Sequence, residues 1–202
     1  GISWGTGIYE AVKALPPQTY RDIKIVQMLG SLGTSNPEID GPELMWRLAD
    51  KVSAQYSAFP VPLLVDSVAT RDALIHAPHA IKVVESFQSI DLAMVGIGTV
   101  NPSQASLLRT SYINTSQLEH LQQAGAVGDV CVVHFDIKGK LIKTPLTELF
   151  LGIGLDDLLR IPTKIGVAAG TVKAPAILGG CRAGLVNVLI TDETAAIEVI
   201  NL

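Results

Sequence analysis

The 202-residue sequence contains little charge and few aromatic residues, with 17% charged and 5% aromatic side chains. Lysine and arginine number 15 against 19 acidic residues, which gives a net charge of −4. The chain therefore lacks the basic excess that usually accompanies binding to a nucleic-acid backbone. Hydrophobic residues make up 48% of the sequence, which excludes a disordered chain. These values predict a mildly acidic globular domain with one sizeable core.

Long hydrophobic runs and a cysteine framework are also missing. Residues 92–108 carry no charge, but glycine, proline and polar residues interrupt them, whereas a spanning helix needs about 20 mostly apolar residues. No signal-peptide pattern opens the sequence. The two cysteines, Cys131 and Cys181, form no CxxC pair and indicate reduced thiols. We therefore expect a cytoplasmic protein with no membrane partner.

Nucleotide and metal signatures are absent as well. The sequence contains neither GxGxxG nor GxxxxGK[ST], which are the dinucleotide and P-loop fingerprints. Its four histidines show no metal-like clustering, and His134 in an apolar strand indicates a hydrogen-bonded core residue. We expect no metal and no cofactor.

Short β-branched runs alternate with helical patterns along most of the chain. The pattern predicts an α/β fold in which helices cover both faces of a mostly parallel sheet. A turn at Gly139 predicts a small antiparallel insertion. Because no linker or repeat interrupts the pattern, we expect one domain over residues 1–202. The main predicted strands are residues 23–28, 91–95, 130–135, 164–168 and 186–190, and the main predicted helices are 42–56, 173–182 and 192–199.

Glycine and hydroxyl residues follow several predicted strands. They occur in residues 1–7, 29–35, 96–99 and 169–173. The carboxyl ends of parallel strands meet at one edge of a sheet, where backbone amides and helix N-termini can bind an anion. Lys173 would supply a cation there. Each loop alone is more often a tight turn, and the four together favour a small anionic ligand.

Two further side chains suggest a sugar. Asp129 begins a strand after a glycine-rich segment, and a carboxylate can accept two hydroxyl hydrogen bonds. A turn or helix cap is the alternative interpretation of Asp129. Trp4 in the first loop could stack on a sugar, although core packing is the commoner fate of tryptophan.

Several of these segments match one family in order. The chain resembles the effector-binding domain of SorC-type bacterial transcription regulators, which sense sugars and sugar phosphates. The resemblance covers nearly the whole chain. Its segments are Gly-Ile-Ser-Trp-Gly at 1–5, the loop at 30–33, Val-Gly-Ile-Gly at 95–98, Gly-Ala-Val-Gly-Asp at 125–129, Phe-Asp at 135–136, Gly-Val-Ala-Ala-Gly at 166–170 with Lys173, and Leu-Ile-Thr-Asp at 189–192.

The resemblance implies a fold like that of glucosamine-6-phosphate deaminase and ribose-5-phosphate isomerase, with a phosphorylated sugar at the strand ends. It implies that Lys173 contacts the phosphate and that Asp129 holds sugar hydroxyls. Together with the glycine-loop argument, it gives the candidate ligand residues Trp4, Gly5, Thr6, Gly30, Ser31, Gly33, Gly98, Asp129 and Lys173.

The resemblance also implies a homo-oligomer, a dimer or tetramer, that binds operator DNA through an N-terminal helix-turn-helix domain. That domain and the first strand and helix of the sensor are missing here, so we expect a chain truncated at its N-terminus that does not bind DNA specifically by itself. Residue Ala169 stands where the family often has glycine, and residues 132–134 replace a stretch that commonly holds a second aromatic residue.

The leading hypothesis is a ligand-sensing domain without catalysis. The first alternative is a sugar-phosphate isomerase or deaminase that uses Asp129 as a general base, although no acid–base partner is evident nearby in sequence. A weaker alternative is an interaction domain with a vestigial pocket.

Overall fold

The computed structural model describes residues 1–33 and 36–202, so part of the predicted glycine loop at 29–35 lies outside the described residues. The helices are α1 (Thr6–Ala14), α2 (Gly41–Val52), α3 (Val68–Ile75), α4 (Pro78–Ser86), α5 (Ser106–Arg109), α6 (Thr115–Gln123), α7 (Leu155–Arg160), α8 (Ala174–Arg182) and α9 (Glu193–Asn201). The strands are β1 (Lys24–Val26), β2 (Gln55–Ser57), β3 (Leu92–Thr99), β4 (Gly128–Val130), β5 (Val133–Phe135), β6 (Leu141–Ile142), β7 (Thr163–Val167) and β8 (Val188–Ile190).

The large sheet is mixed, with strand order β6-β5-β4-β3-β7-β8. Strands β3, β7 and β8 run parallel, whereas the pairs β3–β4, β4–β5 and β5–β6 are antiparallel. The α/β class is as predicted. The prediction of a mostly parallel sheet is wrong, because the antiparallel insertion supplies three of the six strands, β4, β5 and β6. Strands joined by connections as short as those after β4 and β5 can pair only antiparallel, since a parallel pair needs a long crossover.

A smaller parallel pair, β1–β2, continues the fold beside the large sheet. Ile2 forms bridges with both Gln27 and Met94, so the first residues of the chain lie between the two sheets. The chain leaves this position directly into α1, which places residues 3–7 beside the carboxyl end of β3.

A tight hairpin divides the predicted strand 130–135 into β4 and β5. Its two central residues, Cys131 and Val132, have positive φ values of 49° and 64°, as a type I′ turn requires. Asparagine and glycine favour this conformation, whereas a β-branched residue disfavours it. The turn therefore has no local sequence signal, and the Asp129 carboxylate supports it by accepting a 3.2 Å hydrogen bond from the Val132 amide.

Capping residues start the helices where local chemistry permits. Pro78 opens α4 at its first turn, at the break that its position in the sequence predicts. Asn114 and Gln117 form a capping box at the start of α6. Asp192 caps α9, at the start of the helix predicted over residues 192–199.

Buried residues cover both faces of β3. Ala93, Val95 and Ile97 belong to a large core that includes Phe59 and Phe87, Phe135 and residues of α6 and α8. Met94, on the opposite face of the strand, belongs to a second cluster with residues of α1 and α2. Over the described ranges, no helix is both long and apolar enough to cross a membrane.

Candidate functional site

A cavity of about 310 Å³ lies where β3 and β7 end and the N-terminal loop passes between them. Side chains or backbone from residues 3–7, β3, α5, the β4–β5 hairpin and the segment after β7 line it. Six of the nine predicted ligand residues are among them, namely Trp4, Gly5, Thr6, Gly98, Asp129 and Lys173. These residues come from four separate segments of the chain. The parallel pairing of β3 with β7 and the antiparallel pairing of β3 with β4 help to bring the segments together.

The other three predicted residues do not line this cavity. A Cβ added at Gly30 would lie 2.5 Å from the carbonyl carbon of Pro62, so the missing side chain lets two backbone segments approach each other. The Gly30 amide donates to the Leu151 carbonyl, and the Ser31 amide donates to the Val61 carbonyl. Gly30 and Ser31 thus join neighbouring loops, and a ligand contact for either stays a prediction.

Asp40 occupies the amides of the same loop. Its carboxylate accepts hydrogen bonds from the Leu32 amide at 2.8 Å and the Gly33 amide at 2.9 Å. It also accepts one from the Gly41 amide at the start of α2. The Leu32 and Gly33 amides are therefore occupied by an internal carboxylate, and Gly33 lines a separate surface cavity instead.

In the loop after β7, one amide likewise donates to a carboxylate of the protein itself. The Gly170 amide donates to the Asp192 carboxylate at 2.5 Å. Hydrogen bonds from Thr194, Ala195 and Gly170 lower the pKa of Asp192 from 3.8 to about 2. This carboxylate ties the loop to α9, so the Gly170 amide is not available to a ligand.

The N-terminus of α1 remains open to the cavity. Gly5 is its N-cap residue with φ of 130°, and no side chain caps the helix. Gly5, Thr6 and Gly7 all line the cavity. The first amides of a helix have no intrahelical acceptor and carry partial positive charge. This end of α1 can therefore bind an anion.

Two cations stand at the same cavity. The Lys173 ammonium is half-buried and donates a 2.7 Å hydrogen bond to the Ile97 carbonyl. Burial lowers its pKa, the charge of Asp129 opposes that shift, and the nearby Arg109 adds to it. Arg109 also lines the cavity, and its guanidinium makes no hydrogen bond or ion pair with the part of the chain that the structure describes. A cation that lies close to another and has no acidic partner of its own favours an anionic ligand.

Asp129 provides the one carboxylate among the described lining residues. It lies directly opposite Gly98 in the β3–β4 pairing. A Cβ added at Gly98 would lie 2.8 Å from the carboxyl carbon of Asp129 and closer still to one oxygen. The Asp129 carboxylate can therefore occupy this position only because Gly98 has no side chain.

Residues 1–201 match the sugar-binding domain family, Sugar-bind. The chain belongs to this family, the sugar-binding domain of SorC-type transcription regulators. Its fold is similar to that of the full-length sorbitol operon regulator SorC from Klebsiella pneumoniae, with a TM-score of 0.91 and 27% identity over 98% of this chain and 65% of that one.

Curated relatives of this SorC-type domain are transcription regulators. The deoxyribonucleoside regulator of Bacillus subtilis (strain 168) is 27% identical over all of this chain and 64% of its own length. The LsrR regulator of Enterobacter sp. (strain 638) is 34% identical over 72% of this chain and 46% of its own length. The chain thus spans between about half and two thirds of these proteins.

Arg109 is a charged residue at the cavity of this SorC-type domain that the sequence analysis did not identify. It ends α5, a helix of four residues, and no motif marks its position. Arg109 comes near Lys173 because α5 follows the end of β3. The sequence offered one indication that Arg109 lies at the site, namely its position in the segment after the Gly98 loop.

Proposed function

We propose that this domain is the effector sensor of a bacterial transcription regulator and that its effector is a phosphorylated sugar held in the 310 Å³ cavity. One observation carries the proposal. Two cations and an uncapped helix N-terminus share a cavity with a single carboxylate, so one end of the cavity suits an anion and another suits hydroxyl groups.

The phosphate end is formed by Lys173, Arg109 and the first turn of α1. A phosphate accepts charge-assisted hydrogen bonds from both cations, and helix amides add donors without further charge. Lys173 is held in place before any ligand arrives because its ammonium already bonds to the Ile97 carbonyl. The unpaired Arg109 gives up no existing ion pair when it binds an anion.

The sugar end is formed by Asp129 and Trp4. The Asp129 carboxylate accepts only one hydrogen bond from the described residues, from the Val132 amide, and keeps further acceptor positions for sugar hydroxyls. The buried Trp4 indole nitrogen has no hydrogen-bond partner among the described residues. Trp4 itself lines the cavity, where its ring can stack on a sugar.

The sensing mechanism we propose is a population shift. An effector that binds one quaternary arrangement of a dimer or tetramer more tightly shifts the regulator toward that arrangement, and the altered oligomer changes the hold on operator DNA. The names of the relatives as transcription regulators support this role. A protein acting on a bacterial operator works in the cytoplasm.

Thermal shift with a ligand panel tests the proposal and separates it from an isomerase or deaminase. The panel contains ribose 5-phosphate, glucose 6-phosphate, fructose 6-phosphate, their unphosphorylated sugars and inorganic phosphate, with product formation followed in the same samples. We expect phosphorylated ligands to stabilise the domain without turnover. If the wild type converts a sugar phosphate and Asp129→Asn abolishes that conversion, the protein is an enzyme and the sensor proposal is wrong.

Removing one cation tests the phosphate end. Lys173→Met should weaken a stabilising sugar phosphate about 10- to 100-fold, since a charge-assisted hydrogen bond contributes about 1.5–3 kcal/mol. The unphosphorylated sugar should be affected far less. Lys138→Met removes an equal charge from the exposed β5–β6 turn and serves as the matched control. Equal losses for both sugars would refute the phosphate assignment.

A further inference from the structure

His134 lies behind the wall of the proposed sugar site. It is 2% exposed and stands opposite Asp129 in the β4–β5 pairing. Its ring is hydrogen-bonded to the Val132 backbone. Its Nδ1 atom is buried and has no partner in the described portion of the chain.

His134 and Asp129 share a second, very small cavity of about 10 Å³. Asp129, Ser106 and Leu107 line both this space and the ligand cavity. The two cavities therefore share these three residues in their walls. By this measure of volume it has room for about one water molecule.

The His134 ring and the Asp129 carboxylate cannot form a hydrogen bond with each other directly. Burial lowers the pKa of His134, while the charge of Asp129 and the Val132 bond oppose the shift, so the ring is neutral at pH 7. In a neutral imidazole one nitrogen donates and the other accepts. Because Nδ1 has no hydrogen-bond partner among the described residues, the bond to the Val132 backbone is assigned to Nε2 as donor, which leaves Nδ1 as an acceptor. Nδ1 and the Asp129 carboxylate are then two acceptors that cannot bond each other.

A water molecule has two hydrogens and can donate to both. We infer that His134 is a positioning residue for Asp129, and that a single water in the small cavity links Nδ1 to the carboxylate and fixes its orientation toward the ligand. Asp129 is the one titratable residue besides His134 that lines this space. The recognition of sugar hydroxyls through this unit rests on the proposed function, whereas the link between His134, water and Asp129 does not.

Imidazole nitrogen spectra of ¹⁵N-histidine-labelled protein test the link without any ligand. At pH 7 we expect His134 to carry its proton on Nε2 and none on Nδ1. Asp129→Asn removes a charge that favours the imidazolium, so the pKa of His134 should fall further, by about half a unit or more. Asp156→Asn, an exposed carboxylate on α7, should leave the titration unchanged. A protonated Nδ1 at pH 7, or a titration that Asp129→Asn does not move, overturns the inference.

High-resolution crystal structures of the wild type, His134→Asn and His134→Leu provide a second test. Asparagine places a polar atom near the Nδ1 position, so His134→Asn should keep the water and the Asp129 orientation. His134→Leu should lose both. A dry cavity in the wild type, or an unmoved carboxylate in His134→Leu, would refute the inference. If His134→Leu fails to fold, the spectra and His134→Asn still decide it. Failure of the sugar-phosphate panel alone leaves these results intact.

Discussion

Replacing Gly98 by alanine tests how the site holds its carboxylate. The added Cβ would lie 2.8 Å from the Asp129 carboxyl carbon, which is shorter than contacts that real Cβ atoms make. The backbone of both residues is fixed by the β3–β4 pairing, so the Asp129 side chain must move. Its displacement breaks the hydrogen bond that the Val132 amide donates at 3.2 Å.

The magnitude follows from these two losses. Holding a side chain away from its preferred rotamer costs about 0.5–1.5 kcal/mol, and losing a hydrogen bond to a charged group costs about 1.5–3 kcal/mol. We expect Gly98→Ala to lower the free energy of unfolding by about 2–4 kcal/mol. The displaced carboxylate should also weaken sugar binding as much as Asp129→Asn does.

Urea denaturation of a double-mutant cycle measures the effect. In an Asp129→Ala background the clash is gone, so Gly98→Ala should be neutral or stabilising by up to about 1 kcal/mol through the unfolded state. Gly154→Ala, whose Cβ would meet only Asp157 at 3.9 Å, controls for the substitution itself. If Gly98→Ala costs the same in both backgrounds, within about 0.5 kcal/mol, the carboxylate is not what the glycine accommodates.

Other variants test the loops around the site. Asp40→Ala leaves the Leu32 and Gly33 amides without their acceptor and should lower the free energy of unfolding by about 2–4 kcal/mol, as measured in urea; an unchanged midpoint would contradict this clamp. Ser53→Gly should stabilise by about 1 kcal/mol in the same assay, because Ser53 ends α2 with a φ of 54° that glycine adopts without strain. The pKa of Asp192 is lowered from 3.8 to about 2, so its charge stabilises the fold above 3.8 and loses that effect as the pH falls toward 2. Asp192→Asn should therefore reduce Tm at neutral pH, and the gap to wild type should close over that acidic range; a gap independent of pH would refute the charge effect.

Local chemistry made the helices predictable. Pro78 at the first turn of α4 and Asp192 at the cap of α9 act through neighbouring backbone atoms, so their effect is visible in a short window of sequence. The turn at Cys131 and Val132 is the contrary case. Its positive φ values are supported by the hairpin and by Asp129, and neither residue type favours them.

The glycine loops likewise show which features of the site could be predicted from sequence and which depend on tertiary contacts. Glycine after a strand indicates only that backbone can approach something closely. For Gly98 the neighbour is the Asp129 carboxylate, and for Gly30 it is the Pro62 backbone. Whether a loop amide remains open depends on carboxylates outside the loop, such as Asp40 for Gly33 and Asp192 for Gly170.

The α/β class, the resemblance to SorC-type sensors and six of the residues that line the cavity could be predicted from the amino-acid sequence alone. Those conclusions depend on hydrophobic period and on short motifs, which are local properties. The tertiary structure was needed to show that Arg109 lies near Lys173, that Asp40 and Asp192 accept hydrogen bonds from amides in two of the predicted anion loops, and that His134 stands behind Asp129. The Arg109–Lys173 and Gly170–Asp192 contacts join segments far apart in the chain, and such contacts leave no pattern in a single sequence. Asp40 lies only seven residues from Gly33 and His134 only five from Asp129, but no short motif marks the turns that bring these pairs together.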